Sequence, residues 1–188
     1  GIPTNAYVDS VTSATEFELS VSTTGGSVTN GTLTFSGCLA ADDNIFMGYD
    51  AGGGTWVAEG LTEKNVGIGN YVMDAAMDGA LRNVAVGHLS LSALTTGDGN
   101  VAVGKDSCLA LTTGYSNAFV GQYAGITLTT GGRNVAVGNN ALRSATGDNK
   151  AVAIGANAMY TSNVNGDSLN VAVGYECGYA LTSGTHNT

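Results

Sequence analysis

The segment 83–104 reads NVAVGHLSLSALTTGDGNVAVG, and the pentapeptide that opens it also closes it. The same pentapeptide returns at 134–138 and 170–174, and degenerate copies occur at 44–48, 65–69, 117–121 and 151–155. Each copy closes on a glycine, and most successive closing glycines are 17 residues apart. These glycines are Gly48, Gly69, Gly87, Gly104, Gly121, Gly138, Gly155 and Gly174. A fixed period of this kind is the signature of a repeat architecture.

The unit is too short for two helices or for a propeller blade, and its leucines do not follow the leucine-rich pattern. Alternating Val-x-Val between Asn and Gly is typical of a short strand. The apolar second half of the unit predicts a second short strand. The sequence therefore predicts an all-β fold, a parallel β-solenoid of about eight 17-residue coils, each adding about 4.8 Å along the axis.

Alternation along the strand assigns its two faces. We expect the valines to fill the coil and the alanines between them to lie outside. An outer column of Ala favours close packing against another chain, which predicts a homotrimer. The candidate trimer interface is Ala85, Ala102, Ala136, Ala153 and Ala172.

The asparagine that opens each copy has a structural interpretation. Stacked Asn side chains form hydrogen-bonded ladders, and Asn and Gly both tolerate the backbone conformations of tight corners. The predicted ladder comprises Asn83, Asn100, Asn117, Asn134 and Asn170.

Two domains are expected. Residues 1–43 lack the repeat, and alternating residues on either side of Thr23–Gly26 predict a β-rich hairpin region that acts as a cap or connector. Residues 44–188 form the solenoid, which we expect to continue beyond Thr188 because Asn187 begins another copy.

Composition narrows the classes of partner. Six Lys and Arg against fifteen Asp and Glu give a net charge of −9, which argues against nucleic acid. No apolar run is long enough to insert into a membrane. The three cysteines, Cys38, Cys108 and Cys177, form no C-x-x-C pair, and we expect no bridge between Cys108 and Cys177, which lie four coils apart.

The copies from Asn44 to Asn187 resemble the Asn-[Val/Thr]-Ala-[Val/Ile]-Gly repeats of phage tail-fibre and tailspike-like proteins. They are also similar to the head repeats of trimeric autotransporter adhesins, whose unit is shorter. Both resemblances imply a trimer of left-handed coils and attachment to a host. They imply a virion location for the first family and a bacterial cell surface for the second.

Catalysis is not expected. Neither His88 nor His186 has a metal-binding motif, and the nonapeptide of calcium-binding β-rolls is missing, so no metal or cofactor is predicted. The carboxylates do not recur in one column, which disfavours a glycan depolymerase, although neighbouring trimer chains could pair them. The short Thr-Thr array leaves ice binding as a weak alternative.

The corners of the coil vary most between copies, and loops on a rigid scaffold commonly carry binding. The candidate surface-binding residues are Tyr115, Tyr123, Arg133 and Tyr175. The sequence thus predicts a non-catalytic fibre segment that binds other fibre proteins and a host-surface glycan or receptor. The alternatives are a bacterial trimeric adhesin head or stalk, a purely structural spacer or virion decoration, and a depolymerase tailspike.

Overall fold

The computed structural model of the chain describes residues 7–13, 16–20, 44–54 and 62–188. Strands β1 (Tyr7–Ser13) and β2 (Glu16–Ser20) pair antiparallel, with Tyr7 opposite Ser20 and Ser13 opposite Glu16. The first arm of the hairpin predicted on either side of Thr23–Gly26, with alternating Phe17, Leu19 and Val21, overlaps β2, while its turn and second arm lie outside the described residues. The capping role and the boundary at residue 43 therefore stay predictions.

The repeats form a parallel β-solenoid of about seven turns, which confirms the predicted fold class. Its eight three-residue strands stack in chain order in one parallel sheet. They are β3 (Ile45–Met47), β4 (Val66–Ile68), β5 (Val84–Val86), β6 (Val101–Val103), β7 (Ala118–Val120), β8 (Val135–Val137), β9 (Val152–Ile154) and β10 (Val171–Val173). Equivalent repeat positions pair throughout, as Val84 does with Val101 and Val152 with Val171.

The second half of each described coil contains no strand, so the prediction of two strands per unit is wrong. Its backbone instead includes left-handed residues, such as Asp106 (φ 56°) and Cys108 (φ 48°). The Asp106 N–H donates to His88 in the preceding coil at 2.9 Å, and the Cys108 N–H donates to Ala124 in the following coil at 2.9 Å. Backbone donors are thus satisfied between coils without extended conformation.

The predicted assignment of the strand faces is also wrong. Ala136 is 0% exposed within the single chain, and the other predicted interface alanines, Ala85, Ala102, Ala153 and Ala172, are buried with it. Val137 and Ile154, by contrast, are each 38% exposed. The alanines fill the coil interior and leave no surface for a neighbouring chain, whereas the valines and isoleucines face outward.

Volume explains this inversion. Inside the coil the strand column faces leucines, methionines and small residues from the turn side, such as Leu142 and Met159. A narrow interior that holds Leu on one side accommodates only Ala on the other. Where the strand carries Phe119, the turn residue four places after the closing glycine is Gly125, and a Cβ there would collide with the Phe119 ring.

The copy before β10 is two residues longer than the 17-residue unit, since Gly155 and Gly174 are 19 residues apart, and the strand register is still intact. Val171 and Val173 are exposed, but they pair with Val152 and Ile154, so their exposure follows from the inverted faces and not from a slip. Buried Asp148 anchors the inserted loop, because its carboxylate accepts hydrogen bonds from the Ser162 hydroxyl (2.5 Å) and the Val164 N–H (2.7 Å).

The asparagine column forms a buried ladder. The Asn100 Nδ2 donates to Asn83 Oδ1 (3.0 Å) and to the Gly114 carbonyl (2.8 Å). The Asn100 Oδ1 accepts from the backbone N–H (3.2 Å) and Nδ2 (2.9 Å) of Asn117. The bonds run from Asn44 to Asn134, stop at Ala151 and resume between Asn170 and Asn187.

We expect Asn100→Ala to destabilise the solenoid by about 3 kcal/mol, because it leaves buried groups of Asn117 and Gly114 without partners. The reverse change, Ala151→Asn, should stabilise it by about 1 kcal/mol by extending the ladder. Thermal unfolding followed by circular dichroism measures both. Equal melting temperatures for Asn100→Ala and the unchanged chain would contradict a stabilising role for the ladder.

Candidate functional site

The outward side of the parallel sheet is a long exposed apolar surface. We call it the apolar face, and it consists of Ile45, Met47, Val66, Ile68, Val84, Val86, Val101, Val103, Ala118, Val120, Val135, Val137, Val152, Ile154, Val171 and Val173. Exposure of its members reaches 50% at Ile45 and 63% at Val173. Seven spacings between eight strands make it about 34 Å long. Contiguous apolar surfaces of this kind mark interaction sites.

Two of the predicted corner residues form a pair. The Arg133 guanidinium lies 5.4 Å from the centre of the Tyr115 ring, and the Arg133 N–H donates to the Tyr115 carbonyl at 2.9 Å. Gly132 makes room for this contact, since a Cβ there would lie 2.7 Å from the ring. Both side chains are exposed, so this corner presents one cation–π pair.

Tyr123 lies at a different place, between two cations. The Lys105 ammonium is 5.6 Å from the centre of its ring, and the Arg143 guanidinium is 5.7 Å from it. Arg143 also lies 5.4 Å from the Tyr160 ring and donates from Nη1 to the Tyr160 hydroxyl at 2.6 Å. Tyr160 stacks on Tyr179 in the next coil, with ring centres 4.9 Å apart and planes 10° apart.

The same row continues toward the first coil. Lys105 and His88 approach opposite oxygens of Asp106, at 3.4 Å and 3.9 Å. The His88 ring meets Tyr71 edge-on at 6.0 Å, and Tyr71 meets Tyr49 edge-on at 5.4 Å. We call this row the aromatic stripe: Tyr49, Tyr71, His88, Lys105, Asp106, Tyr123, Arg143, Tyr160 and Tyr179. Direct contacts link its members across all eight coils.

Of the residues in the aromatic stripe, only Tyr123 was predicted from the sequence as a surface-binding residue. The others were missed because they occupy three different positions of the repeat, one, two and five residues after the closing glycine. Alignment of the copies shows three unrelated columns, and only the folded corner brings them into one row.

Tyr175 belongs neither to the Tyr115–Arg133 pair nor to the aromatic stripe. Its side chain is 73% exposed, and hydrogen bonding to Glu176, together with the charge of that carboxylate, raises the pKa of its phenol. The corner residues predicted from sequence are therefore not one site. Tyr115 and Arg133 lie together, Tyr123 belongs to the aromatic stripe, and Tyr175 lies beside Glu176 in the last coil.

The Thr pairs do not present a full array of hydroxyls. The Thr95, Thr112 and Thr129 hydroxyls donate to carbonyls of the following coil at 3.1, 3.0 and 2.9 Å. Only the second Thr of each pair is exposed, at positions 96, 113 and 130. This leaves a single column of three threonines, which disfavours ice binding.

Comparison with protein-family models, curated proteins and solved structures gives no match for this chain. The resemblance to fibre and adhesin repeats therefore rests on the repeat motif alone. Within residues 44–54 and 62–188, no cluster of three His, Cys, Asp or Glu side chains has the arrangement of a metal site. The described part of the chain contains no helix long and apolar enough to cross a membrane.

The two cysteines in the described coils are free thiols, which confirms that Cys108 and Cys177 are not bridged. Cys38 lies outside the described residues. Cys108 is buried in the coil interior, and burial raises the pKa of its thiol well above the ordinary value. Cys177 is exposed.

We expect iodoacetamide at pH 8 to modify Cys177 quickly and Cys108 only when the coil opens, because the thiolate is the nucleophile. Because burial opposes ionisation of the Cys108 thiol, its contribution to the free energy of unfolding is full below about pH 8.5, the pKa of an unfolded thiol. That contribution is lost as the pH rises above about 8.5 and through the raised pKa of the folded state. Peptide mapping by mass spectrometry measures the rates at which iodoacetamide modifies Cys177 and Cys108. In urea the two cysteines should react alike, and equal rates in the native chain would contradict the burial of Cys108.

Proposed function

We propose that this chain is a segment of a trimeric fibre, of the phage tail-fibre or spike type, that attaches to the host cell surface without catalysis. The observation that supports assembly is the apolar face. Two columns of Val and Ile along about 34 Å of sheet are too large to leave in water. A second copy of the same face covers them, and cyclic symmetry keeps equivalent coils in register.

The number of subunits comes from the resemblance to tail-fibre repeats, which are trimeric. In the proposed trimer the apolar faces meet near a common axis, and the Ala column stays inside each coil. A net charge of −9 per chain does not oppose this, because surface charges are screened beyond about 8 Å at physiological salt. The corners remain at the outside, available to a receptor.

Assembly is tested by Val137→Glu, which places a carboxylate on the apolar face. A buried unpaired carboxylate costs several kcal/mol, so the trimer should dissociate while each coil remains folded. Sedimentation equilibrium measures the mass and circular dichroism the fold. A monomeric unchanged chain, or a stable Val137→Glu trimer, would refute the proposed interface.

Two control variants accompany Val137→Glu. Thr130→Glu adds the same charge at an exposed corner and should leave the mass unchanged. Ala136→Glu, one residue away, points into the coil and should unfold it. If Ala136→Glu chains stay folded but dissociate, the alanine column, and not the apolar face, would be the interface.

Attachment is tested separately from assembly. We expect the labelled segment to bind a subset of bacterial surface glycans, such as capsule and lipopolysaccharide fragments, on a glycan array. Binding should occur without release of shorter fragments, since the proposed role is non-catalytic. An array with no binding would favour the purely structural spacer, and fragment release would favour a depolymerase.

A further inference from the structure

We propose that the aromatic stripe is a binding site for one linear, carboxylate-bearing glycan that lies parallel to the fibre axis. This inference rests on the proposed attachment function and names both its site and its ligand class. It concerns the side of the coil that follows each strand. No member of the stripe belongs to the apolar face, so the two surfaces can be occupied together.

The continuity of the stripe favours a linear ligand. Its members touch from the first described coil to the last, through Tyr49–Tyr71, Lys105–Tyr123 and Tyr160–Tyr179 contacts. Successive coils advance by about 4.8 Å, which is close to the length of one sugar unit in an extended chain. A linear glycan can therefore meet equivalent levels of the stripe with successive residues, whereas a compact ligand would use only one or two coils.

The aromatic rings favour a sugar over other chains. Sugars present C–H faces that pack on aromatic rings and hydroxyl groups that hydrogen-bond to phenols. The ring planes of Tyr49 and Tyr71 are 77° apart, so the two rings cannot both lie perpendicular to the axis. Tyr49 is 69% exposed, which leaves its ring accessible to a sugar. At the other end, the Tyr160 and Tyr179 rings stack on each other, and Tyr179 is 41% exposed and carries a phenol hydroxyl that can hydrogen-bond to a sugar.

The cations favour an acidic sugar. The chain has only six Lys and Arg residues, and Lys105 and Arg143 lie in the stripe on either side of Tyr123. They are two coils apart, about 9.6 Å along the axis, which matches carboxylates on alternate sugars. The Arg143 guanidinium lies between the Tyr123 and Tyr160 rings, so little conformational entropy is lost when it pairs with a carboxylate.

The charge of the rest of the chain disfavours a polyphosphate. A nucleic acid carries a charge on every unit and needs many cationic contacts, whereas this chain has a net charge of −9. Asp106 lies between His88 and Lys105 and repels a densely charged chain. A glycan with a carboxylate on every second sugar fits two cations and one carboxylate better.

The probe is hyaluronan, a linear glycan with one carboxylate on every second sugar, and its fully methyl-esterified form is the uncharged counterpart. Titration calorimetry on the assembled chain should show binding of the acid form that weakens as sodium chloride is raised, and little binding of the ester. Arg143→Gln and Lys105→Gln should each weaken binding about tenfold, the effect of losing one charge-assisted contact. Lys105 is exposed, so its substitution leaves buried atoms in place.

The chain provides a matched control in Tyr115 and Arg133, a cation–π pair at another corner whose 5.4 Å separation is close to the 5.7 Å between Tyr123 and Arg143. The double variant Tyr115→Ala with Arg133→Gln should bind hyaluronan as the unchanged chain does. Tyr123→Ala with Arg143→Gln should abolish binding, and its melting curve verifies folding. If the control pair abolishes binding and the stripe pair does not, the site is wrong.

Three other outcomes would overturn the ligand class, the site or attachment itself. Equal affinity for the acid and its ester would overturn the acidic ligand class. Absence of binding to hyaluronan, together with array binding that the stripe variants do not alter, would overturn the stripe and leave attachment standing. An array without any binding would overturn attachment and the stripe together, while the trimer would still be judged by its mass.

Discussion

The structure depends on the hydrogen bonds that join each coil to the next. They run from the strands, from the turn backbone and from the buried asparagines, and together they hold equivalent positions of neighbouring copies side by side. The asparagine column is the most demanding part, because a buried amide without partners costs about 1–3 kcal/mol. One such residue in every described copy except the one that begins with Ala151 therefore fixes the register in which the Ala, Leu and Val columns align. Residues between the fixed positions are free to vary, which is where both candidate binding corners lie.

The repeat period was enough to predict the parallel solenoid, its register and the asparagine ladder, because each follows from spacing alone. It was not enough to assign the faces. Hydrophobicity ranks Val above Ala for the interior, but the space opposite each strand is already filled by Leu or Met. The sequence did contain a signal of this packing. Gly52 and Gly125 replace the larger turn residue in the coils that carry Phe46 and Phe119, and a Cβ at Gly52 would lie 2.8 Å from the Phe46 ring.

The binding corners were predicted less well, for a different physical reason. Position in the repeat gives the level of a residue along the axis, but not the direction or the reach of a long side chain. Tyr123 and Arg143 occupy different columns and still meet, since left-handed turn residues redirect the backbone between them. The prediction of a second strand in each unit was wrong for the same reason. Its apolar pattern was correct, while its backbone alternates conformations that no hydrophobicity pattern encodes.

A final consequence concerns how such a molecule comes apart. Each coil contacts only its neighbours, so its folding resembles a line of coupled units and not one all-or-none core. Ala151 weakens the coupling at one point of that line, because the amide ladder stops there while the strand pairing continues. Under mechanical tension along the axis, the boundary beside Ala151 is then where the column opens first. A solenoid built this way yields locally and re-forms from the coils on either side of the opening.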